Sequence, residues 1–208
     1  MEYNSNNSSA GERRSVRDHD TYFNLASDPA AEPVYLEPGQ VLFGDQRDQM
    51  IVSTLGAGVL VSIYDVDMHI GACAYVLLPD AVVSVFPKFD ESDPDFVKQA
   101  FQPIEDCIGE MKRHGAAKGR IRIRLSGGAH IQGDPDDKGT KNYILVKKYL
   151  EKKGLKVMHE DLGGSFVRRV HFFPKTGRSK SWTLRREYDF GDILAVEASF
   201  QEKVAAYS

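Results

Sequence analysis

Residues 52–79 read VSTLGAGVLVSIYDVDMHIGACAYVLLP, and the reading of this run decides the fold. Apolar blocks at 50–54, 59–64 and 71–78 are separated by turns built on glycine and aspartate. Each block is apolar on both faces over much of its length, the pattern of strands sandwiched inside a domain. Gly56 and Gly58 lie in the first turn, where the missing Cβ suits tight turns and close backbone approach by a ligand.

Outward from this run the pattern stays mixed. Residues 34–43 (VYLEPGQVLF) carry strand formers around a Pro-Gly pair, which predicts a hairpin. Residues 84–94 form a loop, after which Ser92 or Asp93 could cap a helix with Pro94 at its first position. Val97, Phe101, Ile104, Ile108 and Met111 recur at helical spacing. Pro103 should kink this helix or mark its true start, and His114-Gly115 ends it. RIRIRL at 120–125 alternates strictly, placing Ile121, Ile123 and Leu125 inward. A second amphipathic helix over 141–153 turns Leu145, Val146, Tyr149 and Leu150 inward, with Gly154 as its cap. Residues 155–158, 167–173 and 181–184 read as further strands. The expected fold class is α/β, with roughly eight strands and two helices.

Composition narrows the function classes. The chain has 208 residues, 41% hydrophobic and 27% charged, with a formal net charge of −3. That charge gives no general pull toward nucleic acid or anionic membrane. Lys118, Arg120, Arg122, Arg124 and the lysines of the second helix read as solvated faces, because aromatic residues do not alternate with them. Cys73 and Cys107 show no metal-ligand spacing and no paired framework, which suits a reducing compartment. The start, MEYNSNNSSAGERR, lacks the apolar stretch of a signal peptide. No apolar run approaches the ~20 residues that cross a bilayer. A cytoplasmic protein is expected, with no cofactor, no metal, no nucleic acid and no membrane insertion. The expected division is a flexible tail at 1–33, a domain at 34–184 and an extension at 185–208.

The quoted run resembles the active-site segment of the chemoreceptor glutamine deamidases, the CheD family. In that family a T-L-G-x-G-S-C turn precedes one strand, and a G-x-x-A-H-x-x-L-P strand brings a histidine beside the cysteine. Thr54, Leu55, Gly56, Gly58, Tyr64, Asp65, Gly71, Ala74, Leu78 and Pro79 keep this frame. Later motifs follow in order: Gly127-Gly128-Ala129, then Gly139 to Asn142 at a helix start. Glu160-Asp161-Leu162-Gly163-Gly164, Arg168 and Thr176-Gly177 complete the set. The resemblance covers about residues 34–184. It implies a mixed β-sandwich with flanking helices, distantly like the catalytic domain of cytotoxic necrotizing factor toxins.

The resemblance also locates departures. Leu60 stands at the position of the nucleophilic cysteine, Tyr75 at that of the histidine and Val59 at that of the preceding serine. Ser165-Phe166 replaces the Asn-Arg often seen after the glycine pair. Deamidation requires a thiolate to attack the carboxamide and a base to activate it. Leucine has no nucleophilic atom, and a phenol of pKa about 10 is a poor base near neutrality. Thr54, which orients the histidine in the family, has none to orient.

No intact catalytic set is therefore expected, and Leu60 and Tyr75 read as core residues or as apolar lining of a binding cleft. The chain is identified as a degenerate CheD-like signalling protein that binds a chemoreceptor, a CheC-type phosphatase or another signalling protein without turnover. Its expected binding surface is Thr54, Gly56, Gly58, Leu60, Tyr75, Gly163 and Gly164. The alternative is an active protein-glutamine deamidase rearranged around Cys73, which shares a strand face with Tyr75. His69 is too far along that strand to serve Cys73 as its base, and Cys107 belongs to the apolar face of a helix.

Overall fold

Two strands of the quoted run, Val59–Asp65 and Ile70–Val76, are apolar on both faces because they lie in the middle of three layers. The computed structural model describes residues 31–46, 48–84, 100–131, 134–185 and 191–206. In chain order these contain β1 (Glu32–Tyr35), β2 (Val41–Gly44), β3 (Gln49–Leu55), β4 (Val59–Asp65), β5 (Ile70–Val76) and α1 (Asp80–Ser84). Then follow α2 (Gln102–Arg113), β6 (Ile121–Gly127), α3 (Lys138–Lys152), β7 (Val157–Leu162), β8 (Arg168–Phe173), β9 (Arg178–Thr183) and α4 (Gly191–Ala206). One sheet has the order β2-β5-β4-β6-β7 and the other the order β1-β3-β8-β9.

Strand alternation feeds two cores. Val59, Val61 and Ile63 of β4 and Ala72, Ala74 and Val76 of β5 pack beneath α1, α2 and α3. The intervening residues Leu60, Cys73 and Tyr75 face the other way, against Ile51, Leu55, Val170 and Phe172 of the smaller sheet. The period of two thus sends neighbours on one strand into different cores. The fold is mixed α/β, two sheets with flanking helices, as expected.

Several local expectations change. Residues 34–43 do not form a hairpin: β1 pairs in parallel with β3 and β2 pairs antiparallel with β5, in different sheets. The Pro38-Gly39 turn is real, with Gly39 at φ +79°, but it carries the chain from one sheet to the other. Pro103 sits in the first turn of α2 and so marks its start. Val97 and the proposed caps Ser92 and Asp93 lie outside the described residues. α3 begins three residues earlier than expected, where the Asp137 side chain accepts the Thr140 N–H. The strand expected at 155–158 runs instead from Val157 to Leu162. Residues 1–30 lie outside the described residues, and β1 begins at Glu32, just inside the expected tail. The 185–208 segment contains the unanticipated helix α4.

Candidate functional site: a turn of converging amides

Between β3 and β4 the chain turns through Gly56, Ala57 and Gly58, and every carbonyl of the three is held from one side. Ala129 N–H donates to Gly56 O at 2.9 Å and Gly128 N–H donates to Gly58 O at 2.8 Å. Asn142 Nδ2 donates to Ala57 O at 3.0 Å and to Val76 O at 3.1 Å. Leu78 N–H donates to the Asn142 side-chain oxygen at 3.4 Å. The Gly-Gly-Ala and Gly-x-x-Asn motifs therefore share one task, to fix this turn. Gly127, at φ +110°, has backbone geometry that L side chains rarely adopt, and a Cβ there would strike Gly58 O.

With the carbonyls held, the amides point the other way and converge. They meet the carboxylate of Glu197, which reaches in from α4. Gly56 N–H donates to Oε1 at 3.0 Å, Ala57 N–H to Oε2 at 2.9 Å and Gly58 N–H to Oε1 at 2.9 Å. The Tyr75 hydroxyl donates to Oε1 at 2.6 Å, a short bond typical of a charged acceptor, with Thr54 O 3.2 Å away. Burial first, and then the adjacent carboxylate, push the Tyr75 phenol well above its ordinary pKa, so it stays protonated and donates.

Glycine is required here for space. A Cβ on Gly56 would lie 2.6 Å from Glu197 Oε2, and one on Gly58 would run into the Tyr75 ring. The inward stripe of α4 carries Ile193, Glu197, Phe200 and Gln201, and Gln201 Nε2 donates to Leu78 O at 2.9 Å. A groove of about 440 Å³ flanks α4 here, lined in part by Ala57, Leu77, Asp134, Leu194 and Glu197.

The positions singled out in the sequence separate into groups. Leu60 and Tyr75 are directly opposed across β4 and β5. They are 1% and 0% exposed, so neither supplies the apolar binding surface expected of it. Leu60 fills the space between the sheets, and Tyr75 reaches the site only through its hydroxyl. Thr54, the penultimate residue of β3, lies beside this hydroxyl, and its own hydroxyl accepts from Arg169 Nε at 3.3 Å.

Gly163 and Gly164 are one chain further away. Gly163 N–H donates to Gly127 O and His130 N–H donates to Gly164 O, so this turn borders residues 127–130 rather than the carboxylate. Cys73 faces the same core as Tyr75 but is fully buried, with its thiol donating to Ser62 Oγ at 3.4 Å. Burial pushes the Cys73 thiol up to about 12 despite that bond, so it carries almost no thiolate near neutrality. His69 bonds Tyr64 instead, at 2.9 Å.

Glu197 is not singled out by the sequence motifs, although a signal exists. Ile193, Val196, Phe200 and Val204 recur at three and four, which predicts an amphipathic helix. That spacing would turn Val196 inward, yet Val196 is 40% exposed and Glu197 only 6%. The three amides decide which residue is buried. Among the described residues no group of three or more His, Cys, Asp or Glu side chains is placed to hold a metal ion. None of the described helices is long and apolar enough to cross a membrane.

Comparison with known proteins gives consistent names. Residues 77–182 match the family model for CheD, chemotactic sensory transduction. A probable chemoreceptor glutamine deamidase CheD of Halorhodospira halophila is 28% identical over 151 residues, 72% of this chain and 68% of that protein. A second protein of this name, from Burkholderia thailandensis, is 29% identical over 176 residues, 84% of this chain and 87% of its own length. A solved Neisseria meningitidis protein of the DUF152 family covers 72% of this chain and 69% of its own at 10% identity, with a TM-score of 0.42.

Proposed function

This chain belongs to the CheD family, and we propose that within chemotaxis signalling it binds a protein partner without deamidating it. The observation that carries this reading is the pair at positions 60 and 75. At the two positions where the family resemblance places cysteine and histidine, Leu60 and Tyr75 face each other in the interior. Neither side chain can attack a carboxamide or draw a proton from a thiol at neutral pH. The commitment of the turn amides to a resident carboxylate supports the same conclusion, since such amides would otherwise be free to stabilise a developing oxyanion.

The partner proposed is a chemoreceptor, a CheC-type phosphatase or another signalling protein. With Leu60, Tyr75, Gly56 and Gly58 buried, it would approach the turn where Thr54 and Ala57 are partly exposed, with Gly163-Gly164 at the border. The proposed compartment is the cytoplasm. Nucleic acid is not the proposed partner, because several of the basic side chains are already engaged. Arg120 pairs with Asp65, Lys147 with Glu160, and Lys118 donates to Lys153 O.

Ammonia release from a glutamine-bearing receptor helix is the direct test. The full-length protein is expected to give no release above blank. Release that disappears in Cys73→Ala would overturn this reading in favour of a relocated deamidase. Release that persists in that variant would also overturn it, through another nucleophile.

A further inference from the structure

We propose that the turn at residues 56–58 is a carboxylate-binding site, and that α4 is its tethered ligand. In this arrangement α4 is a latch that must lift before another carboxylate-bearing segment can reach the turn. The inference rests on the geometry around Glu197 and is independent of whether the protein has catalytic activity.

Three features separate a ligand from an ordinary packed side chain. First, the receptor is assembled without the ligand. The carbonyls of residues 56–58 are fixed by Gly128, Ala129 and Asn142, whereas the donors to Glu197 are Gly56, Ala57, Gly58 and Tyr75. The three amides would converge whether or not α4 were present. Second, the fit is chemical: three backbone N–H groups and the Tyr75 O–H all direct hydrogens at one point, and a carboxylate offers only acceptors. Glycine at 56 and 58 keeps the space that the carboxylate and the Tyr75 ring occupy.

Third, besides Glu197, α4 is held by one narrow stripe: Ile193 is buried, Phe200 packs against the inter-sheet core and Gln201 bonds Leu78 O. Leu194 and Val196 are exposed, and the open groove beside Glu197 leaves one flank of the helix without close packing. Among the described residues Glu197 forms no ion pair, and four hydrogen bonds hold the middle of α4 against the turn. In sequence, seven residues separate the end of β9 from the start of α4. A segment joined to its site through the same chain competes at an effective concentration on the order of mM, so a free competitor at about 10 μM faces roughly a 100-fold handicap. The site is thus closed to weak carboxylates and open only to a ligand that outcompetes α4.

The test uses the full chain and a fluorescent peptide of residues 191–206, GDILAVEASFQEKVAA. In Glu197→Lys an ammonium faces the three amides and α4 is expelled. Fluorescence anisotropy should show the peptide binding this variant at least about tenfold more tightly than it binds wild type. A peptide carrying Glu197→Gln should bind the variant about tenfold more weakly than the native peptide, for loss of charge-assisted bonds. Equal binding to variant and wild type, or equal binding of the two peptides, overturns the proposal.

Should Glu197→Lys fail to fold, Glu197→Gln in the full chain tests the same idea. Its oxygen still accepts, but its NH2 confronts the Ala57 N–H. Amide hydrogen exchange in α4 should then quicken at least about tenfold while β4 is unchanged. Unchanged exchange in α4 would overturn the latch.

Discussion

A buried carboxylate closes each end of β4, and the two are held in different ways. At the far end Asp65 accepts N–H groups from Asp67, Met68 and Ala117 at 3.0–3.1 Å, and Arg120 Nε lies 3.0 Å away. At the near end Glu197 accepts three N–H groups and the Tyr75 hydroxyl. Asp65 is native to the strand, has a guanidinium beside it and ties the β4–β5 turn to the start of β6. Glu197 comes from 139–141 residues downstream and meets a neutral phenol. The same chemistry serves a permanent lock at one end and a detachable contact at the other. What separates them is the counter-charge and the distance along the chain.

The largest expected effect lies at the lock. Asp65→Ala leaves Arg120 and three amides without their acceptor and should cost about 3 kcal/mol in urea unfolding, since Arg120 is partly exposed and can regain water. The lock is also the acid-sensitive end. Burial alone would raise the Asp65 carboxyl, but Arg120 and the amides hold it down to about 2. A depressed folded pKa means stability that is complete above the unfolded value near 4 and is lost as pH falls through about 2. Wild type should lose about 2 kcal/mol between pH 5 and pH 2 from this group, and Asp65→Asn should flatten that limb. An unaltered limb in Asp65→Asn would remove the distinction between the two ends.

Glu197→Ala should cost less, about 1–2 kcal/mol, because the freed amides can hydrate once α4 moves away. Limited proteolysis should clip α4 in this variant while the sheets remain intact. A loss as large as that of Asp65→Ala would mean that the near end is a lock as well. Tyr75→Phe removes a single donor to Glu197 and should cost about 1 kcal/mol, read as a small drop in Tm. The smallest effect is expected at Cys73. At pH 8 a thiol-specific reagent should label neither Cys73 nor Cys107 in the folded protein, since both are buried and burial raises both thiols.

The difference between the two ends also marks how far the sequence can be read. The strands around Asp65 and the inward faces of α2 and α3 follow from periodicity, because each apolar position there packs against a layer formed by nearby elements. Thr54, Gly56, Gly58 and Tyr75 are legible as a cluster from motif order. The function of Gly127-Gly128-Ala129 and Asn142 is not, since pinning a distant carbonyl leaves no local pattern. Residues 34–43 mislead because a Pro-Gly turn specifies a reversal of direction but not which sheet receives each arm. Glu197 is hidden by its own chemistry. A charged residue flanked by Val196 and Ala198 reads as solvent-facing, and only the fold brings three amide donors to it from more than a hundred residues upstream.

The position of Glu197 downstream of every residue that builds its receptor also sets an order of events during synthesis. Asn142, the last of the residues that pin the turn carbonyls, is made about 55 residues before Glu197. At about 5–20 residues per second, the ribosome takes roughly 3–11 s to cover that distance. Once β8 has emerged to pair with β3, the chain can shape the receptor while its own occupant has yet to emerge. Each molecule therefore passes through a brief youth in which the turn is open to whatever acidic side chain lies nearby, including one on a neighbouring nascent copy.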